Sequence, residues 1–193
     1  MMAIRIEPST SHLPNLPTPM RIRPMRLEDL EQVHAIDQMS FSIPWPENSY
    51  RYELLDNPRS MQLVMETDAP DGPRQVVAVI VVWLIEDEAH IATLSVHPDY
   101  RGQGISRELL AATLIEAIHL GMRTATLEVR ANNLVAQALY RRFHFNVYGR
   151  RPRYYRDNDE DALIMTVEGL DGDYLKWLES GSWRNKISSN EEV

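Results

Sequence analysis

The chain has 193 residues, 44% of them apolar, which is enough to bury one two-layer core without covalent staples. It contains no cysteine, which excludes disulfides, thiolate metal sites and a cysteine nucleophile and suits a reducing, cytoplasmic setting. The formal net charge of −8 argues against wrapping nucleic acid, and no run approaches the roughly 18 apolar residues of a membrane span, so neither a nucleic-acid nor a membrane partner is expected.

Residues 1–19 carry Pro8, Pro14, Pro17 and Pro19 among serines and threonines, and read as a flexible leader. Met20 to Met25 alternates as a strand does, and Leu27, Leu30, Val33 and Ile36 then recur at helical spacing. A Pro-punctuated loop from Phe41 to Pro46 precedes a short helix from about Glu47 to Leu55. Gln62–Thr67 and Val76–Glu86 are β-branched runs joined by the turn-rich segment 68–73, and His90–Val96 is a further strand that Pro98 stops. After Gly104 a helix carries Leu109, Leu110, Leu114 and Ile118 on one face. Thr124–Arg130 reads as a strand, 133–142 as a helix, and Phe143–Gly149 and Ala162–Val167 as two strands joined by an Arg- and Tyr-rich loop. Residues 20–168 thus form one predicted domain, and 169–193 an extension with a helix at Tyr174 and Trp177 and a disordered end. The arginines at 141, 142, 150, 151, 153 and 156 gather positive charge late in the chain, which also fits an ordinary solvated face.

Two stretches carry chemistry. From Leu94 to Arg107 a strand passes through a turn bearing Gly102 and Gly104 into a helix. Glycine lets backbone approach a ligand closely, and the free amides of a helix's first turn attract an anion, so this turn suits a phosphate, although it equally reads as a plain strand-to-helix connection. About twenty residues on, Glu128 lies on a strand and Asn133, Gln137 and Tyr140 share one face of the next helix, so a carboxylate and a phenol can converge. Taken separately, Tyr140 reads as a packing aromatic and Glu128 as an exposed strand charge. The histidines at 12, 34, 90, 97, 119 and 144 lack ligand spacing; no metal is expected, and they read as surface or packing residues.

On these residues, with Phe41, Pro44-Trp45, Leu127–Arg130, Leu139-Tyr140 and Arg153–Tyr155, the segment from about Met20 to Val167 resembles the Gcn5-related N-acetyltransferase (GNAT) family, and within it the bacterial ribosomal-protein alanine N-acetyltransferases. The family's phosphate-turn pattern is met by Arg101, Gly104 and Ser106, with serine in place of a small apolar residue; His144 stands where a glycine is usual, so that turn is not expected to use glycine's positive φ.

The resemblance implies an α/β (α+β) fold with a central mixed, mostly antiparallel twisted sheet flanked by helices on both faces. It further implies acetyl-CoA as co-substrate, with Leu94, Ser95 and Val96 on the pantetheine arm, and Arg101, Gly102, Gln103, Gly104, Ile105, Ser106 and Arg107 at the pyrophosphate. Asn133 would also touch it. Glu128, directly or through a water, would be the general base, the more efficient if burial lifts its pKa towards the working pH, and Tyr140 the general acid; a backbone amide near Val96 would stabilise the oxyanion. The acceptor would be a protein N-terminal α-amine, on a ribosomal protein, threading between Pro44-Trp45 and Arg153–Tyr155, with Glu47 attracting its charge. A small-molecule amine, a lysine or a non-catalytic acyl-CoA-binding module remain as alternatives, and the sequence fits a monomer or a homodimer.

Overall fold

Runs of β-branched and apolar residues form seven strands: β1 (Arg21–Pro24), β2 (Ser60–Thr67), β3 (Gln75–Ile85), β4 (Glu88–Val96), β5 (Thr124–Arg130), β6 (Asn146–Tyr155) and β7 (Glu160–Glu168). Between them lie helices α1 (Leu30–Ser40), α2 (Ser49–Leu55), α3 (Ile105–His119) and α4 (Leu134–Arg142), and α5 (Gly172–Ser180) follows β7. The computed structural model describes residues 20–46, 48–68 and 74–185; the predicted leader, Glu47, most of the 68–73 turn and the end of the tail lie outside them.

The strands make one sheet in the order β1-β2-β3-β4-β5-β7-β6, antiparallel throughout except for β4 and β5. This is the mixed, mostly antiparallel sheet expected. Helices α1 and α2 cover one face over Val33, Ile36, Tyr50, Val64, Val79 and Val81. On the other face α3, α4 and α5 close a larger core through Leu109, Leu110, Leu114, Tyr140 and Leu178. Strand β3 is covered on both faces, which is why 76–82 is an unbroken apolar run rather than an alternating one.

Two irregularities open the sheet. Parallel pairing of β4 with β5 covers only Glu88–Ile91 against Thr124–Leu127, although β4 runs on to Val96 and β5 to Arg130. Beyond Ile91 the two strands therefore diverge. In the same place β4 bulges against β3: Thr93 pairs with Val81 and Ile91 with Val82, leaving Ala92 as an extra residue. Residues Ala89 and Ile91 face the α3 side before the bulge, and Leu94 and Val96 face it afterwards.

Three local readings are corrected. Phe143 and Phe145 are not strand residues but form the buried end of α4: His144 N donates to Arg141 O and Phe145 N to Tyr140 O, a Schellman close with His144 at φ +62°. The positive φ is kept without glycine, and the His144 ring packs against Trp177 at 4.5 Å. The Arg- and Tyr-rich stretch is no loop but the second half of β6, where a bulge between Arg151 and Tyr155 accommodates Pro152 on an edge strand. Residues beyond 168 share the main core: Leu170, Leu178 and Trp183 are buried in it, and Trp183 Nε1 donates to Leu178 O.

Candidate active site

The divergence of β4 and β5 creates two adjoining clefts. The first, of about 410 Å³, is lined by Leu94, Ser95, Val96, Arg101, Gly102, Gly104, Ile105, Ser106, Asn133 and Tyr140, so most of the residues expected at the co-substrate meet there. His97 N donates to Val77 O; by strand alternation the amides and carbonyls of Leu94 and Val96 point away from β3 into the gap that β5 has left. A ligand amide could pair with them as a missing strand would.

At the far end of this cleft, Gly102 and Gly104 adopt φ of +77° and +84°, a region open to glycine, and α3 begins at Ile105. The Gly104 carbonyl accepts from Arg107 and Glu108, whereas the amides of Gly102 to Ser106 donate to no backbone carbonyl among the described residues. A Cβ on Gly104 would come within 2.7 Å of the Arg107 guanidinium. The turn is thus a concave set of free donors under a cation, suited to a pyrophosphate. Two expected contributors do not line the cleft: Gln103 turns back to the Asp99 carbonyl, and Arg107 lies over Gly104. Arg101 lines the rim but directs Nε to Val96 O at 3.0 Å and Nη2 to Ser40 Oγ at 3.0 Å. Asn133 caps α4 by accepting from Ala136 N, and Gln137 is buried and ties α4 to the carbonyls of Arg130 and Ala131.

The second cleft, of about 450 Å³, is lined by Trp45, Ile91, Glu128, Arg130, Tyr154 and Tyr155 among others, and it shares Leu94, Asn133, Ala136 and Tyr140 with the first. Leu127 and Val129 face the large core, so Glu128 and Arg130 face the opposite side of β5, whereas Tyr140 comes from the α3 side. The gap in the sheet lets both groups border one passage. Tyr140 is 8% exposed, and burial pushes its phenol pKa up, which keeps the proton on the oxygen at neutral pH.

Glu128 is held on both oxygens. His90 Nε2 lies 3.1 Å from Oε2, and Arg151 Nη2 lies 2.9 Å from Oε1. The hydrogen bond from His90 and the charge of Arg151 outweigh burial and hold the carboxyl below the usual carboxylate range. Burial alone does not lift this carboxyl, because these two donors favour its charged form. The same contact pushes the His90 imidazole up.

Across the acceptor end, the 41–46 loop meets the β6–β7 turn. Ser42 Oγ donates to Asp157, and Arg130 bonds Asp157 at 2.8 Å, Glu160 at 3.1 Å and Ser42 Oγ at 3.2 Å while stacking 3.9 Å above the Tyr155 ring. Trp45 packs on Trp83 at 6.4 Å, and Trp83 on His90 at 5.5 Å. His90, Arg151, Ser42 and Asp157 were not picked out as site residues from sequence. His90 and Arg151 lie on strands, and Ser42 and Asp157 on connecting segments, whose juxtaposition the sequence does not state.

Among the described residues no cluster of three or more metal-ligating side chains occurs, and no helix is long and apolar enough to cross a membrane.

Residues 30–145 match the model of the acetyltransferase (GNAT) family. A protein of Bacillus subtilis (strain 168) named as a putative [ribosomal protein bS18]-alanine N-acetyltransferase is 38% identical over 150 residues, which are 78% of this chain and 96% of that one. The [ribosomal protein bS18]-alanine N-acetyltransferase of Escherichia coli (strain K12) is 32% identical over 148 residues, 76% of this chain and 95% of the relative. The crystal structure of the ribosomal-protein-S18-alanine N-acetyltransferase from Escherichia coli superposes with a TM-score of 0.68 at 31% identity, covering 77% of this chain and 93% of that chain.

Proposed function

The chain belongs to the GNAT family of acetyltransferases and is an acetyl-CoA-dependent N-acetyltransferase, and on that premise we propose that it acetylates the N-terminal α-amine of a protein, with a ribosomal protein N-terminal alanine as the first candidate. The observation that carries the reading is that one cleft is lined by both a carboxylate, Glu128, and a protonated phenol, Tyr140, the phenol also lining the adjoining cleft. The likeness to the bS18-alanine acetyltransferases over nearly their whole length, and the Trp45, Tyr154 and Tyr155 walls that suit a peptide backbone, support the choice of acceptor.

Acetyl-CoA supplies an acetyl thioester. The amides of Leu94 and Val96 would hold its amide-bearing arm, and the donors of Gly102 to Ser106, with Arg107 above them, its pyrophosphate. An α-amine has pKa of roughly 7.7 to 8.0, so its ammonium form loses one proton before attack, and Glu128 takes it at a carboxylate oxygen. As the C–S bond breaks, Tyr140 gives its phenolic proton to the departing sulfur, and the proton shed by the nitrogen that becomes the amide restores the phenol. The Val96 amide, free at the diverging strand, faces developing negative charge on the carbonyl oxygen.

Mass spectrometry of peptides incubated with acetyl-CoA tests this: an Ala-initiated ribosomal peptide should gain one acetyl group, and an N-terminally blocked, lysine-containing version none. Modification of lysine alone contradicts the α-amine reading. Glu128→Gln and Tyr140→Phe should each lower kcat by roughly 10²-fold or more with acetyl-CoA binding intact.

A further inference from the structure

We propose that the segment after β7, residues 171–185, is a strut of the co-substrate site, with Arg142 and Arg184 as positioning residues that hold the Gly102–Gly104 turn with α3, and the Tyr140 face of α4, at the separation one acetyl-CoA molecule bridges. The inference rests on the assignment of the first cleft to acetyl-CoA and adds what fixes the width of that cleft.

The need for a strut follows from the sheet. Strand β4 leads into the glycine turn and α3, and β5 leads into α4, so the two walls of the cleft are carried by the two strands that part. Their ladder ends at Ile91 and Leu127, and beyond those residues no pairing between β4 and β5 sets the distance between the helices that follow. Gln137 ties the first half of α4 to the carbonyls of Arg130 and Ala131. The end of α4 and the first turn of α3 are joined instead by residues that come after the sheet is complete.

The join uses a guanidinium at each end. Arg142, two residues past the cleft-lining Tyr140, donates from Nη1 to the carbonyls of Trp183, at 2.9 Å, and Asn185. Arg184, between those two residues, grips both oxygens of Glu108, which lies two residues past the cleft-lining Ser106 in the first turn of α3. The Arg184 guanidinium lies 4.0 Å from the Trp183 ring and so close to Gly181 that a Cβ there would come within 2.5 Å of Nη1, so the turn ending α5 leaves it no room to swing aside. Between the two anchors the Trp183 ring packs 5.4 Å from that of Phe143, which closes α4, and the Phe143 carbonyl accepts from Tyr174 Oη at 2.7 Å. Arg184 also compensates the Glu108 charge, which in the first turn of a helix competes with a bound phosphate for the positive helix end. Acetyl-CoA, reaching from the glycine turn to Tyr140, is a second tie between the same walls, so each tie strengthens the other, and the coupling is reciprocal.

Calorimetry and steady-state kinetics on the full chain test this with Arg142→Met and Arg184→Met, and with Arg142→Lys and Arg184→Lys should a methionine variant fail to fold, since lysine keeps the charge but not the two-pronged grip. Each should raise Kd and KM for acetyl-CoA by roughly fivefold or more and leave KM for an Ala-initiated peptide unchanged. A merely structural role lowers stability without changing the affinity of the folded protein, so an unchanged acetyl-CoA Kd at either position overturns the proposal, as does an equal rise in KM for both substrates. In the wild type, saturating acetyl-CoA should slow amide hydrogen exchange in residues 174–185 more than in α2 on the opposite face, and equal or smaller protection there overturns the coupling. Gly104→Ala separates the two levels: if it leaves acetyl-CoA affinity unchanged, the cleft assignment fails and the strut with it, whereas weaker binding in Gly104→Ala beside wild-type affinity in the arginine variants overturns the strut alone.

Discussion

The Arg184 guanidinium holds the Glu108 carboxylate through two hydrogen bonds, Nε to Oε1 at 2.8 Å and Nη2 to Oε2 at 2.6 Å, and so fastens the segment after α5 to the start of α3. Glu108 is 9% exposed and Trp183, next to Arg184, is 3% exposed. Trp183→Ala should cost about 3–5 kcal/mol in chemical denaturation, the usual loss for emptying a buried tryptophan site. Arg184→Met should cost about 1–3 kcal/mol by stranding Glu108, and the double variant with Glu108→Met should recover part of that.

The Glu128–His90 contact also makes stability depend on pH, with opposite signs for the two partners. Glu128 has a folded pKa below its ordinary 4.5, so its contribution is present above that value and is lost as pH falls through the folded one. His90 has a folded pKa above 6.5, so its contribution is full below that value and is lost as pH rises through the folded one. Both act together between 4.5 and 6.5. The difference in urea midpoint between wild type and His90→Gln should therefore be wider at about pH 5.5 than at about pH 8.5. A difference that grows towards alkaline pH contradicts the assigned directions.

Gly104→Ala should weaken acetyl-CoA binding by roughly tenfold in calorimetry, because the added methyl both strains a φ of +84° and displaces Arg107 from above the turn. Gly121→Ala provides the control. Its φ is +86° but a Cβ there meets nothing within 4 Å, so it should lower stability by a similar backbone cost, about 1–2 kcal/mol, and leave acetyl-CoA affinity alone.

Arg130 joins three parts of the acceptor end: the 41–46 loop through Ser42, the β6–β7 turn through Asp157 and Glu160, and the Tyr155 ring. Arg130→Met should raise KM for the peptide by roughly tenfold while changing acetyl-CoA affinity little, since a misplaced wall costs binding geometry at a distance from the reacting atoms. Equal losses for both substrates would mean that Arg130 supports the whole fold instead.

The strands and helices that position the clefts were legible because their periodicity is local: alternation in 124–130 sends Leu127 inward and Glu128 outward whatever their neighbours are. The Gly102–Gly104 turn was legible for the same reason. The partners of Glu128 were not, since bringing His90 beside it requires knowing that β4 pairs with β5 in parallel and for four residues only. Arg151 was hidden further by the extent of β6, where proline and arginines resemble a loop, yet the edge position leaves Pro152 no ladder bond to lose. At His144, local preference favoured a glycine, and packing on Trp177 from beyond the predicted domain overrode it.

The extra residue at Ala92 gives β4 two phases of alternation, odd positions facing the α3 side before it and even positions facing that side after it. Deleting it would not merely shorten the strand by one residue. A regular β4 could keep the imidazole of His90 on its present face or keep Leu94 and Val96 on theirs, but not both, because one residue of slip reverses every side chain beyond it. The fold thus stores the separation between the Glu128–His90 contact and the cleft lined by Leu94 and Val96 in a parity change along a single strand.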